Sequence, residues 1–385
     1  MTVPTAGPTT DRTAARTEGL TAGRTVPTTE EAAVGLFPDL KDDLLERDAG
    51  LDKAFHDAKE TPSGQALGSE PVVVVALNQQ EPHFFTGQLE LEVHYSASLL
   101  KATAVWAAHE LLRAANELVD SFDARPPPAD VITMLRDTFN PLIDAQRVAQ
   151  LRGVDMGNTL LPRWDDVFDV RADSFVEFTP AFSDKLSDAI ANGSNTSAGT
   201  VIHGLGFGYL TKAAASAGFF DDSATGSPET ADGMWLCGDF ANGFTPRRIP
   251  CVNDTGPVAQ ATSARQMARL FTFLGGRSLA GAQNTPLVDG DSDEAMLALL
   301  RQAVLNRHSM LDQDTTVNFD MVFSKVGQGP LNTGAVVCSE AAIIDERSTG
   351  RRFVAVFQNR VGTTSAQLKP VSQLVDTTLV NFLFP

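Results

Sequence analysis

Strand-like runs at both ends of this 385-residue chain, with helical periodicity through its middle, predict an α+β fold. Strands at the two ends must share one sheet, and the helices between them form an insertion. The predicted architecture is an antiparallel sheet built from N- and C-terminal segments and flanked by helices, with an inserted all-helical subdomain. A disordered tail over residues 1–29 precedes a single domain over 30–385. In that domain 30–97 and 311–385 form the α/β subdomain and 98–310 the helical one.

Each element rests on its own residues. The first 29 are rich in Thr, Ala, Pro and Gly, carry both charge signs and contain no apolar core. They do not read as a targeting sequence and cannot bury enough surface to order themselves. Residues 30–59 read as a helix with Leu44, Leu51 and Phe55 on its apolar face, stopped by Pro62-Ser63-Gly64. The runs 71–77 (PVVVVAL) and 84–93 read as strands, and a long apolar helix opens at Leu99 and reaches about residue 119. The stretch Arg125-Pro126-Pro127-Pro128 breaks that helix from the next. Helical periodicity marks 131–137, 141–151, 183–191, 200–217, 261–275 and 293–307. An apolar run over 317–323 then leads to a turn at Gln328-Gly329-Pro330. Runs 335–344 and 352–358, joined by the polar turn 345–350, complete a three-stranded meander. Residues 368–384 read as a closing helix, and no internal repeat is evident.

The formal net charge of −18 argues against nucleic acid and against an anionic membrane surface. No run approaches the ~20 apolar residues of a membrane span. Without an export signal, the expected location is the cytoplasm. Cys237, Cys251 and Cys338 are widely spaced and each lies beside apolar residues, fitting neither a zinc site nor a disulfide framework. The glycines of Gly204-Leu205-Gly206-Phe207-Gly208 lack a preceding strand and a phosphate-loop lysine, so close helix packing explains them better than a nucleotide. No cofactor and no metal are expected. The expected partner is a small-molecule amide, ester or peptide.

The most informative stretch is Ser98-Leu99-Leu100-Lys101. A serine three residues before a lysine shares its helical face, with Cβ atoms about 5–6 Å apart. It also sits in the first turn, where unpaired N–H groups favour developing negative charge. Leu99, Leu100, Ala104 and Val105 enclose the lysine and disfavour its ammonium form. A neutral amine can take the serine proton and so activate the serine. The bland alternative is a capping serine beside a snorkelling lysine. Far downstream, Lys325-Val326-Gly327 ends an apolar run. A glycine on that strand lets a substrate backbone lie against its edge, beside the lysine charge. The alternative there is a solvated strand lysine before a turn glycine.

Together and in this order, the two motifs resemble the serine β-lactamase and penicillin-binding (DD-peptidase) superfamily, and their spacing suits the class A β-lactamase-like branch. The resemblance covers about residues 36–385. It implies a third motif, for which Gly193-Ser194-Asn195 is the candidate. Asn195 matches the motif asparagine and Gly193 stands where the family has serine. Ordinary turn chemistry capping a helix explains the same residues. Two departures weigh more. The family's threonine after the lysine is Val326, and no Glu-x-x-Leu-Asn deacylation motif lies between Asn195 and Met267, where Asp239, Asn242, Asn253 and Asp254 stand instead.

The resemblance implies acyl transfer through a covalent serine intermediate. Ser98 is the nucleophile, Lys101 the general base and Asn195 the orienting amide. Lys325 supplies positive potential and, as a nearby like charge, depresses the Lys101 pKa. The backbone N–H groups of Ser98 and Gln328 hold the oxyanion, and Lys325, Gly327 and Gln328 bind substrate. Three readings follow: a serine amidase, peptidase or esterase; a β-lactamase or DD-peptidase; and a non-catalytic binding protein that keeps the fold.

Overall fold

The computed structural model describes residues 35–38, 40, 44–68, 70–145, 161–219, 233–236, 251–252, 260–279, 281, 283–304, 310–311 and 318–385. The tail expected over 1–29 lies outside these residues. The chain enters through β1 (Leu45–Arg47), α1 (Ala49–Lys59) and α2 (Pro62–Gln65). Strands β2 (Val72–Ala76), β3 (His83–Gln88) and β4 (His94–Tyr95) lead to a 3-10 turn, Ala97–Leu100, and the long helix α3 (Lys101–Asp120). The middle holds α4 (Pro128–Ala145), α5 (Trp164–Val167), β5 (Phe168–Val170), β6 (Val176–Phe178), α6 (Pro180–Ala191), α7 (Asn195–Leu205) and α8 (Phe207–Ser216). Then come β7 (Met234–Leu236), β8 (Gln260–Thr262), α9 (Ala264–Arg277) and α10 (Gly290–Val304). The meander β9 (Phe319–Pro330), β10 (Val336–Glu346) and β11 (Arg352–Val361) follows, and α11 (Ser365–Leu383) closes the chain.

Both ends of the chain share one six-stranded sheet, in the order β1-β3-β2-β11-β10-β9. The run PVVVVAL is apolar throughout because β2 lies in the middle of that sheet, covered on both faces. Val73 and Val75 join the large core under the helical layer, while Val72, Val74 and Ala76 join a second core under α1 and α11. The same alternation sends Val354 and Val356 of β11 inward, and Phe353, Ala355 and Phe357 outward. Full burial of one such side chain is worth about 1.5–3 kcal/mol.

Several expectations need correction. The sheet is mixed, because β1 pairs in parallel with β3. Within the helix expected over 30–59, Leu45–Arg47 are strand β1 and α1 begins at Ala49, where the Asp48 side chain accepts from Leu51 N and caps it. Residues 131–137 and 141–145 of the two expected helices form one helix, α4, with Pro141 inside it, and 146–151 lie outside the described residues. The expected helix 200–217 is two, divided at Gly206, whose φ of 78° no helix residue adopts. Residues 260–262 are strand, and Ser263 caps the helix that follows. Short strands also occur before residue 316, as β5 to β8. Helix α9, expected in the helical subdomain, packs against β2, β10 and β11. The glycine-rich stretch does pack closely: a Cβ on Gly204 would stand 2.7 Å from the Phe182 ring on α6.

Strand β9 extends to Pro330, so Gln328-Gly329-Pro330 is strand rather than turn. It is the edge strand, and it lies hard against the 3-10 turn. A Cβ on Gly327 would meet Ser96 O at 2.3 Å and Leu99 N at 2.8 Å. Both are backbone atoms of the turn that carries Ser98. The side-chain face of Gly327 therefore meets that turn, a different use from the substrate contact expected of it. Gly327→Ala should lower stability by about 1–3 kcal/mol through overpacking and displace Ser98. Urea denaturation, combined with fluorophosphonate labelling of Ser98, measures both effects. A variant as stable and as reactive as the native chain would refute the steric role.

Candidate active site

A cleft of about 550 Å³ opens where the 3-10 turn, the α6–α7 connection and β9 meet. Ser98, Asn192, Gly193 and Asn195 line it on one side, and Lys325, Val326 and Gln328 on the other. Ile190, Ala191 and Ala303 supply its apolar wall. The structure thus brings Ser98, Asn195, Lys325 and Gln328 to one cavity. Gly327 is not among the lining residues, for the packing reason given above, and Lys101 lies beneath the surface.

Lys101 is the first residue of α3 and is 0% exposed. Its Nζ donates to Gly193 O at 2.5 Å and to Asn195 Oδ1 at 2.7 Å. Burial pushes its pKa down to about 8, and the charge of Asp188 pulls the other way. The cause is desolvation rather than the Lys325 charge expected from the sequence. Deprotonation near neutral pH is what a lysine base requires.

The α6–α7 connection is built to hold those two acceptors. Ser194 caps α7, its Oγ accepting from Ser197 N at 3.2 Å, and this sets Asn195 as the first helical residue. Gly193 has φ of 69°, a conformation that L side chains rarely adopt, and a Cβ there would meet nothing within 4 Å. Asp188 ties the connection to the end of α6. Its carboxylate accepts from Ser197 Oγ at 2.5 Å and from Asn192 Nδ2 at 2.8 Å. The Ser197 hydroxyl, then the Asn192 amide and Ser194, hold that carboxyl below its usual range. Ser194 is therefore a capping residue in this structure.

Alternation along β9 assigns the remaining groups. Lys325 stands opposite Ala341, which belongs to the inner core, so Lys325 faces inward toward the cleft. It is 4% exposed, and its Nζ donates to Val326 O at 2.7 Å. Ser324 faces the other way, where its hydroxyl donates to the buried Glu340. Val326 packs partly against the outer core while also lining the cleft, so it offers that region no hydroxyl.

Asp188 and the Gly193 carbonyl were not anticipated from the sequence. An aspartate one turn before a Gly-Ser-Asn turn is ordinary capping chemistry, and nothing in its spacing singles it out. Asp239, Asn242, Asn253, Asp254 and Cys237 lie outside the described residues, and Cys251 and Cys338 are buried. Among the described residues, no group of three or more His, Cys, Asp or Glu is placed to hold a metal ion. Nor is any helix among them long and apolar enough to cross a membrane.

The electrostatics set a pH dependence. Lys101 binds fewer protons folded than unfolded, so its cost to stability is full below about 8 and fades as pH rises toward 10.5. Reaction at Ser98 should rise with pH through about 8 as Lys101 becomes neutral. Asp188→Asn removes the charge that raises Lys101, so the midpoint should move to lower pH. The rate of inactivation by a fluorophosphonate, followed against pH, measures the shift. A midpoint that stays put or rises would refute the coupling.

No family model and no curated protein matches the chain. Solved structures do match. The TLA-1 extended-spectrum β-lactamase, in a variant form, aligns at 11% identity over 87% of this chain and 98% of its own, with a TM-score of 0.51. The TLA-3 extended-spectrum β-lactamase aligns at 12% identity over 87% and 98%, with a TM-score of 0.48. A β-lactamase from Sphaerobacter thermophilus aligns at 14% identity over 88% and 98%, with a TM-score of 0.43. The likeness to the first of these, spanning nearly its whole length, shows that the chain has the β-lactamase fold.

Proposed function

We propose that the chain is a serine hydrolase that acts on an amide or ester through a covalent acyl-Ser98 intermediate. The observation that carries this reading is Lys101, fully buried and held by Gly193 O and Asn195 Oδ1 beside the cleft that Ser98 lines. Both N–H bonds of a neutral amine are satisfied by those two acceptors.

In the proposed step, Ser98 Oγ attacks the carbonyl carbon and its proton passes to Lys101 Nζ. The backbone N–H groups of Ser98 and Gln328 receive the oxyanion, the first from the 3-10 turn and the second from the edge strand. Lys325 supplies positive potential along the cleft, and Asn195 fixes the orientation of Lys101. Collapse of the intermediate expels the leaving group. Water, or an amine nucleophile, then takes the acyl group.

A serine-directed fluorophosphonate should label Ser98, and peptide mapping should place the adduct there. Ser98→Ala should abolish labelling. Lys101→Arg should reduce it by orders of magnitude, about 10²–10⁴-fold if general-base catalysis is lost, because a guanidinium stays charged. An adduct on Ser194 or Ser324, or near-normal reaction in Lys101→Arg, would sink the mechanism.

The β-lactamase fold favours a second reading, a β-lactamase or a DD-peptidase-type acyltransferase. Here the departures in sequence bear on the outcome. With Val326 in the threonine position, the carboxylate of a β-lactam lacks one hydrogen bond, worth about 1.5–3 kcal/mol or about 10–150-fold in affinity. No Glu-x-x-Leu-Asn motif is present to activate the deacylating water. Nitrocefin should therefore be turned over weakly, with any adduct long-lived. Rapid multiple turnover under excess substrate would instead promote the β-lactamase reading.

A further inference from the structure

A second cavity, of about 680 Å³, opens at the far ends of α6 and α7, the two helices whose connection carries the Lys101 acceptors. Phe182 and Lys185 line it from α6, Gly204 from α7, and Arg163, Asp165 and Asp166 from the α5 turn. Its size suits a small molecule, for which sites run to about 300–1,000 Å³. The active-site cleft and this cavity share no lining residue. At about 1.5 Å per helical residue, Ala181 on this cavity and Ala191 on the cleft stand about 15 Å apart.

The charges around this cavity are only partly answered by the protein. Asp165 takes Arg136 of α4 at 2.6 Å. Lys185 shares its charge with Asp188, whose carboxyl it helps to hold low. Arg163 and Asp166 differ. They stand one turn apart, the Asp166 N–H donating to Arg163 O at 2.9 Å, a spacing at which opposite charges can meet. Among the described residues, neither side chain takes part in a hydrogen bond or an ion pair. The Thr179 hydroxyl at the same wall is turned inward, donating to Asp166 O and accepting from Phe182 N. Beside this charged side the lining is apolar, supplied by the Phe182 ring packed over Gly204.

We infer that this cavity is a second ligand site, remote from Ser98, and that it takes a small zwitterion with an apolar body, an apolar α-amino acid. A simple anion would meet the Asp166 carboxylate, and a simple cation would meet Arg163 and Lys185. A ligand with both charges at one end satisfies all three. Its carboxylate is received by the planar donor fork of Arg163, with Lys185 adding positive potential. Its ammonium is received by Asp166, one turn away on the same side of the cavity. The two charges of an amino acid sit on one carbon, which matches charged groups a single turn apart. Its side chain lies toward Phe182 and Gly204 and is removed from water there. The competitor is closure of Arg163 on Asp166, and an exposed ion pair of that kind is worth little. Binding is reversible and involves no bond to the protein, so the site stands independently of the acyl-Ser98 reading.

The test is titration calorimetry of the full chain at low ionic strength, where exposed charges are least screened. The probes are leucine, N-acetylleucine, leucinamide and glycine, each carried to millimolar concentration. Leucine should bind one to one. N-acetylleucine, which lacks the ammonium, and leucinamide, which lacks the carboxylate, should each bind about tenfold more weakly, the low end for a hydrogen bond to a charged group. Glycine, which lacks the apolar body, should lose about tenfold or more. Arg163→Gln and Asp166→Asn should each weaken leucine by about tenfold, and Asp166→Asn should leave N-acetylleucine unweakened. Both side chains are exposed, so the urea midpoint of each variant should match that of the native chain. Equal binding of leucine and N-acetylleucine would reduce the cavity to an anion site, and equal binding of leucine and leucinamide to a cation site. Either result overturns the zwitterion assignment. Binding that survives both substitutions together lies elsewhere and overturns the site, as does the absence of heat with all four probes. Labelling of Ser98 by the fluorophosphonate is read separately, so failure here leaves the acyl-Ser98 reading untouched.

Discussion

A lysine with no exposed surface must either find acceptors for its N–H bonds or lose its proton, and the candidate site is organised around that constraint at Lys101. Leaving a buried charge unpaired costs several kcal/mol, and a protein avoids the cost by neutralising the group or pairing it. This fold does some of each. Burial lowers the pKa of Lys101 to about 8, and Gly193 O and Asn195 Oδ1 accept its protons. Neither acceptor is a carboxylate. A direct ion pair would hold the ammonium form, whereas neutral acceptors orient the nitrogen and still permit deprotonation. The Asp188 carboxylate, which raises the Lys101 pKa, is held by Ser197 and Asn192 and only moderates the shift.

Much of the fold was legible because its pattern is unambiguous. The run PVVVVAL has no polar alternation, as required of a strand buried on both faces, and the meander announced itself by three apolar runs with turn chemistry between them. What was missed has physical reasons. Strand β1 is three residues long and joins β3 through backbone pairing, so its sequence carries no period to detect. Pro141 sits inside α4, although a proline normally argues for a break. Gln328, Gly329 and Pro330 read as a turn because glycine and proline usually mean one. In β9 the glycines instead admit neighbours, Ser96 and Leu99 at Gly327 and the Tyr95 hydroxyl at Gly329. Proline is tolerated as the last residue of an edge strand.

The candidate site was legible in its side chains and illegible in its backbone. Ser98, Lys101, Asn195 and Lys325 are chemical types at meaningful spacings, and the cleft gathers the three that line it above the fourth. The carbonyl of Gly193 has no signature in a sequence, since every residue has one. Its importance comes from a left-handed φ that only the folded turn displays. The same glycine looked like a degraded motif serine, a defect in the pattern rather than a contact. Reading Asp188 would have required knowing that its turn carries the partners of Lys101.

Two kinds of constraint fix the three stretches of the site, and they differ in how they tolerate change. Between the 3-10 turn and β9 the constraint is steric: backbone meets backbone at Gly327, and a single added methyl has nowhere to go. Between α3 and the α6–α7 connection it is a hydrogen-bond network running from Asp188 through Ser197 and Asn192 to the turn, and then from Gly193 and Asn195 to Lys101. The first sets the position of Ser98 relative to Lys325 and Gln328 and leaves no freedom in composition. The second sets the protonation and orientation of Lys101, and leaves Gly193 facing open space in the cleft. Chemistry at this site is therefore free to diverge at the connection while the edge strand is held. Gly193 in place of a motif serine and an intact Lys-x-Gly strand are the combination that such a division of constraints allows.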